Sequence, residues 1–195
     1  MIRTFVAIHL TPELLGTLQQ AQNALRGSPG GPSARFVQPA NMHLTLKFLG
    51  DVDETRLPAV CQTVAAVAQR YQPLELLLGA LGCFPNARRP RVVWAAIDSA
   101  ERRLEQLAAE LDDGLHTLGF AREARPFTAH LTLARIKERA DPRQAAELGQ
   151  YAAAFAPLLG AMTAAEVTVI KSELRPQGPL YTDLCQARLG APRAC

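Results

Sequence analysis

The sequence predicts an α+β fold of two pseudo-symmetric lobes, each an antiparallel sheet covered by helices on its outer face, with a central cleft. Three observations predict it. Short β-branched and aromatic runs alternate with stretches of helical period. No linker long enough to separate independent domains interrupts the 195 residues, so residues 1–195 read as a single two-lobed domain. The tetrapeptide His-Leu-Thr-Leu occurs twice, at 43–46 and 130–133, as two matched halves would carry it.

Residues 4–10 read as a strand, closed by Thr11-Pro12. Thr11 suits an N-cap and Pro12 a first helical residue. The helix they open runs to about Leu25, with Leu14, Leu18, Ala21 and Leu25 on one stripe. Residues 27–32 hold three glycines and two prolines and form a loop. Residues 35–38 make a short strand, Pro39-Ala40-Asn41 turns the chain, and 42–49 is a strand ended by Gly50. Residues 53–70 are helical, with Leu57, Val60, Cys61, Val64 and Val67 facing inward. Strands at 74–81 and 91–97 flank a basic turn at 84–90. Residues 99–118 form a helix on Leu104, Leu107, Leu111, Leu115 and Leu118, followed by a charged loop at 119–126. Residues 128–136 are the second motif strand. Asp141-Pro142 opens a helix to about Phe155. Strands at 166–174 and 180–189 close the chain across the turn 176–179.

A net charge of +3 permits a polyanionic partner without requiring one, and the dense basic tracts of many duplex binders are missing. No stretch approaches the ~18 apolar residues of a membrane helix. The opening, Met1 to Ile8, is too quickly polar for a signal peptide. A cytoplasmic protein without membrane association is expected. Cys61, Cys83, Cys185 and Cys195 are far apart, with no Cys-x-x-Cys pair and no zinc spacing. They read as reduced, mostly buried thiols, with Cys195 exposed at the terminus. No long apolar heptad or unexplained apolar helix face is visible, so a monomer is expected.

Alternate side chains of a strand point to opposite faces. His43 and Thr45 therefore share one face and Leu44 and Leu46 the other, and the same holds for His130 and Thr132 against Leu131 and Leu133. Two such pairs across one cleft suit a phosphodiester. With ordinary pKa values near ~6.5, one imidazole can be neutral and take a proton while the other is charged and gives one. The hydroxyls can donate hydrogen bonds to non-bridging oxygens as charge builds on them. No metal is needed and no cofactor is expected. Symmetry does not say which histidine is which. By parity Lys47 is a candidate for the cleft. Arg88, Arg89 and Arg91 could touch an RNA backbone or make a solvated turn. His9 and His116 are expected to be structural or exposed, and Trp94 to belong to the core.

Further stretches extend the motifs: Arg3 to Ile8, Asn41 to Gly50, Phe84-Pro85 with Arg88 to Trp94, Pro126 to Arg135, and Ser172-Glu173-Leu174 with Gly178 and Tyr181. In these the chain resembles the 2′-5′ RNA ligase/RNA 2′,3′-cyclic phosphodiesterase family of the two-histidine phosphoesterase superfamily. The resemblance implies hydrolysis of an RNA 2′,3′-cyclic phosphate end to a 2′-phosphate. His43 would give the proton to the 3′ oxygen and His130 would activate water. It also implies Arg135 as a phosphate ligand, since guanidinium matches phosphate oxygens bidentately. Parity puts Arg135 opposite to His130, so a twist, bulge or strand end must bring it round. Phe36 stands where many relatives have Trp, and either ring could stack on a base. Tyr181 could line the groove. The same residues would serve 2′,5′ ligation with a ribose hydroxyl in place of water, or a small cyclic nucleotide.

Overall fold

The computed structural model describes residues 1–155, 160–176 and 178–190. In chain order the elements are β1 (Ile2–His9), α1 (Pro12–Gly27), β2 (Ala34–Phe36), β3 (His43–Val52), α2 (Leu57–Ala68), β4 (Leu74–Phe84), β5 (Val92–Ser99), α3 (Arg103–Thr117), β6 (His130–Ile136), α4 (Pro142–Ala153), β7 (Ala161–Ala164), β8 (Glu166–Arg175) and β9 (Gly178–Arg188). The strands form two antiparallel sheets, ordered β3-β1-β8-β9 and β2-β6-β5-β4-β7.

Helices α1 and α4 begin where their caps direct. Thr11 Oγ1 accepts from the Leu14 N–H at the start of α1, with Pro12 in the first turn. Asp141 Oδ1 accepts from the N–H groups of Arg143 and Gln144 at the start of α4. The apolar stripes then bury as their period requires. Leu14, Leu18, Ala21 and Leu25 of α1 and Leu104, Leu107, Leu111 and Leu115 of α3 are all buried. Helices α1 and α4 lie against β6 and β4 of the larger sheet, α2 against β8 and β9 of the smaller, and α3 against α2, β3 and β5. Leu44, Leu46, Leu131 and Leu133 point into the same core as the helix leucines. The other sheet faces are left for the cleft.

The expected two-lobed α+β architecture is present, but neither lobe is a contiguous half of the chain. The smaller sheet joins β1 and β3 from the first third to β8 and β9 from the end. Strand β7 is absent from the sequence reading: its four residues, Ala-Met-Thr-Ala, bury two side chains and extend β4 at the sheet edge. Residues 54–56 and 100–102, read as helix starts, are 3-10 turns. Positive φ at Glu101 (53°) and Arg102 (56°) keeps the second from joining α3.

The cysteine expectation is corrected. Cys61 of α2 and Cys185 of β9 form a disulfide across 124 residues of sequence, with 6.2 Å between their Cα atoms. Such a pairing depends on α2 packing against β9, which spacing along the chain does not reveal. Cys83 is a free thiol. Cys195 and Gln177, in the turn 176–179, lie outside the described residues.

Candidate active site

The two motif strands lie in different sheets, β3 at the edge of one and β6 inside the other, and they come into contact. His43, Thr45, His130 and Thr132 are half-buried and line one cleft of about 1380 Å³. Phe36, Arg135 and Tyr181 line it too.

A β-bulge interrupts both motif strands at the same place. On β3, Thr45 faces Ala7 and Lys47 faces Val6 of β1, so Leu46 is an extra residue. On β6, Thr132 faces Trp94 and Ala134 faces Val93 of β5, so Leu133 is extra. Two consecutive residues in each strand, Leu46-Lys47 and Leu133-Ala134, are therefore buried. The next residue, five after each histidine, returns to the cleft face: Phe48 in one copy and Arg135 in the other. This brings Arg135 round to the side of His130, as the sequence required.

Lys47 lines the cleft as well, but the bulge breaks its alternation with His43: its side chain is 1% exposed, and its Nζ donates to Asp112 Oδ1 of α3 (2.5 Å) and to the Ala121 carbonyl (2.8 Å). Burial would raise the Asp112 pKa. The bond from Lys47, the Glu123 N–H and the charges of Lys47 and Arg122 outweigh it and hold the carboxyl below its ordinary value. Lys47 is thus a buried, paired cation within the cleft wall.

The other bulge is held by Gln22, which sequence reasoning passed over. This buried α1 side chain donates to the Leu133 carbonyl (2.8 Å) and the Val37 carbonyl (2.9 Å). Its signal was legible: an uncharged polar residue on the buried face between Leu18 and Leu25, where an amide needs partners.

The imidazoles sit in matched surroundings. His130 Nδ1 lies 2.7 Å from the Thr128 carbonyl, so in the neutral ring it donates there and leaves Nε2 with the lone pair. Its ring meets Phe84 edge-on at 5.1 Å and Trp94 at 6.2 Å. Trp94 stacks on Phe84 and lies over Gly82, where a Cβ would overlap the indole. Trp94 is thus packed between Phe84, Gly82 and the His130 ring. His43 stacks on Phe5 at 4.7 Å and meets Tyr181 edge-on at 5.0 Å. Burial lowers its pKa to about 4, against the pull of the Asn41 carbonyl and with a further push from His9. Asn41 and Thr128 each stand two residues before their histidine.

His9 lies directly opposite His43 across β1 and β3, and its Nε2 is 3.0 Å from Asp183. His116 is exposed, with Nδ1 3.0 Å from the Phe120 carbonyl at the end of α3. Burial raises the Tyr181 hydroxyl against the pull of Arg135 and Arg3. Phe36 packs against the core and carries the Arg26 guanidinium 4.6 Å from its ring centre, so one ring face is occupied. Arg89 and Arg91 line the cleft, and Arg88 is exposed.

The sequence pattern of LigT-like phosphoesterases matches residues 8–94 and 97–181, a motif strand in each part. The chain belongs to the LigT-like phosphoesterase family. It is 34% identical to the RNA 2′,3′-cyclic phosphodiesterase of Methanothermobacter thermautotrophicus, covering 96% of this chain and 99% of that one. Among solved structures, TT0787 of Thermus thermophilus matches with a TM-score of 0.80 at 31% identity, covering 96% of this chain and 98% of that one. E. coli LigT complexed with 3′-AMP matches with a TM-score of 0.75 at 27% identity, over 96% and 98% of the two chains. Within the family frame the paired strands, the two sheets and the shared cleft are one architecture. Among the described residues no three of His, Cys, Asp and Glu gather as metal ligands, and no helix is long and apolar enough to cross a membrane.

Proposed function

We propose that this chain opens RNA 2′,3′-cyclic phosphate ends by hydrolysis, leaving a 2′-phosphate and a 3′-hydroxyl. The observation that carries the reading is the convergence of His43, Thr45, His130 and Thr132 on one cleft from two bulged strands. The named relatives support the substrate class. In the reaction a water oxygen attacks phosphorus, giving its proton to His130 Nε2. The bond from phosphorus to the 3′ oxygen breaks, and His43 protonates that oxygen. Thr45 and Thr132 donate to the non-bridging oxygens, and Arg135 balances the phosphate charge.

In the free protein His43, with its pKa at about 4, is neutral near pH 7. A donor role requires that its proton arrive with the substrate. The bound phosphodiester supplies one negative charge beside the ring, which raises the pKa. The reading also makes the protein a metal-independent monomer acting in the cytoplasm. The Cys61–Cys185 disulfide pulls against that location, since cytosolic thiols are kept reduced.

The test is product analysis. Pure protein in EDTA, given an oligoribonucleotide with a 2′,3′-cyclic phosphate, should yield only the 2′-phosphate. A 3′-phosphate product, or activity that vanishes in EDTA and returns with a divalent ion, contradicts the mechanism. Adding an RNA with a 5′-hydroxyl separates ligation from hydrolysis by the ratio of joined to opened product.

A further inference from the structure

At the edge of the larger sheet, Arg35 of β2 lies directly opposite Arg135 of β6. Like charges directly opposite on neighbouring strands destabilise a sheet unless an anion sits between or above them. Among the described residues neither arginine has a carboxylate at ion-pair distance. Both line the cleft, and Arg91 lines it beside them. Arg35, Arg135 and Arg91, none of them in an ion pair among the described residues, thus line the larger-sheet side of a cleft that the exposed Phe48 and Leu174 line from the smaller sheet.

Arg35 and Arg135 do not do the same work. Arg135 follows His130 and Thr132 along the cleft face of β6, and its charge is felt at Tyr181 in the other lobe. It therefore acts inward, over the catalytic groups. Arg35 stands one strand further out, about 5 Å away, on the outermost strand of the sheet. As the edge strand, β2 has no further strand of its sheet to bar the way of a longer RNA.

We propose that Arg35, with Arg91 beside it, forms a second phosphate subsite that holds the phosphodiester on the 5′ side of the terminal nucleotide. The inference rests on the cyclic-phosphodiesterase reading and adds to it that the site is built for an RNA strand rather than a free nucleotide. A mononucleotide has no phosphate there to bind.

The test compares Arg35→Gln and Arg35→Lys with the wild type on two substrates: an oligoribonucleotide ending in a 2′,3′-cyclic phosphate, and 2′,3′-cyclic AMP. Arg35→Gln should lower kcat/KM about tenfold on the oligomer, the size of one lost charged contact, and by less than about twofold on the mononucleotide. Arg35→Lys, which keeps the charge but loses the fork, should fall between. The log–log salt dependence for the oligomer should become shallower by about 0.7 in Arg35→Gln. Equal losses on both substrates would put Arg35 on the scissile phosphate, and no loss on the oligomer would remove it from the RNA path. Either result overturns the proposal. Affinities for the 2′-phosphorylated oligomer and for 2′-AMP are measured in parallel. Failure of the wild type to open either substrate would then refute the activity, while the affinity difference still decides the subsite.

Discussion

His43 is enclosed by Phe5 and Tyr181, and its titration follows from that enclosure. Burial holds His43 at about 4, well below its ordinary 6.5. The folded value lies below the unfolded one, so between those two pH values the unfolded chain holds a proton that the folded chain lacks. Stability therefore falls as pH drops through that window. The proposed donor role adds a second expectation: anion binding must raise this pKa. NMR titration of the His43 ring should give a midpoint near 4 in the free protein and a higher one with 2′-AMP bound. A free-protein midpoint near 6.5, or no rise on binding, contradicts this account. Alternation in His-Leu-Thr-Leu makes the pairing of imidazole with hydroxyl legible in the sequence. The contacts of Phe5 and Phe84 with the histidines are not legible there, because both rings come from other strands.

Within the motif strands, period-2 reasoning is reliable only up to the first bulge, and each strand has one just past its threonine. Strict alternation gives Lys47 an open place beside His43 and misses its burial against Asp112. It places Arg135 off the cleft face, and only the family resemblance, which implies Arg135 as a phosphate ligand, argues that the strand is interrupted. Each bulge has its own support from a helix: Gln22 of α1 on the Leu133 carbonyl, and Asp112 of α3 on Lys47. Lys47 is the more demanding case, since a buried ammonium needs a counter-charge. Asp112→Ala should cost about 3 kcal/mol by chemical denaturation, because it leaves Lys47 buried with the Ala121 carbonyl as its remaining partner. A double variant, Lys47→Met with Asp112→Leu, should recover most of that loss. A loss below about 1 kcal/mol in Asp112→Ala would show that the pair is solvated rather than buried.

At the scale of the whole molecule, the α+β class, the helix stripes and both motif strands follow from local pattern, and the described residues form those elements. Their assembly does not follow from pattern. Each lobe takes strands from distant parts of the chain, β1 pairing with both β3 and β8, and the Cys61–Cys185 bond closes the smaller lobe over α2. Such long-range pairings leave no local signature. Their consequence is that neither motif can make a site alone: one strand in each sheet must meet the other. The central claim is that His43 and His130 work as one acid–base unit across that junction. Single-turnover opening of an RNA 2′,3′-cyclic phosphate by His43→Ala, His130→Ala and the double variant tests it most directly. Each single change should slow the chemical step by about 10²–10⁴-fold, and the double variant should be little slower than the worse single one, as for groups that act as a unit. Losses that multiply in the double variant, or a single variant that keeps near wild-type turnover, would contradict it.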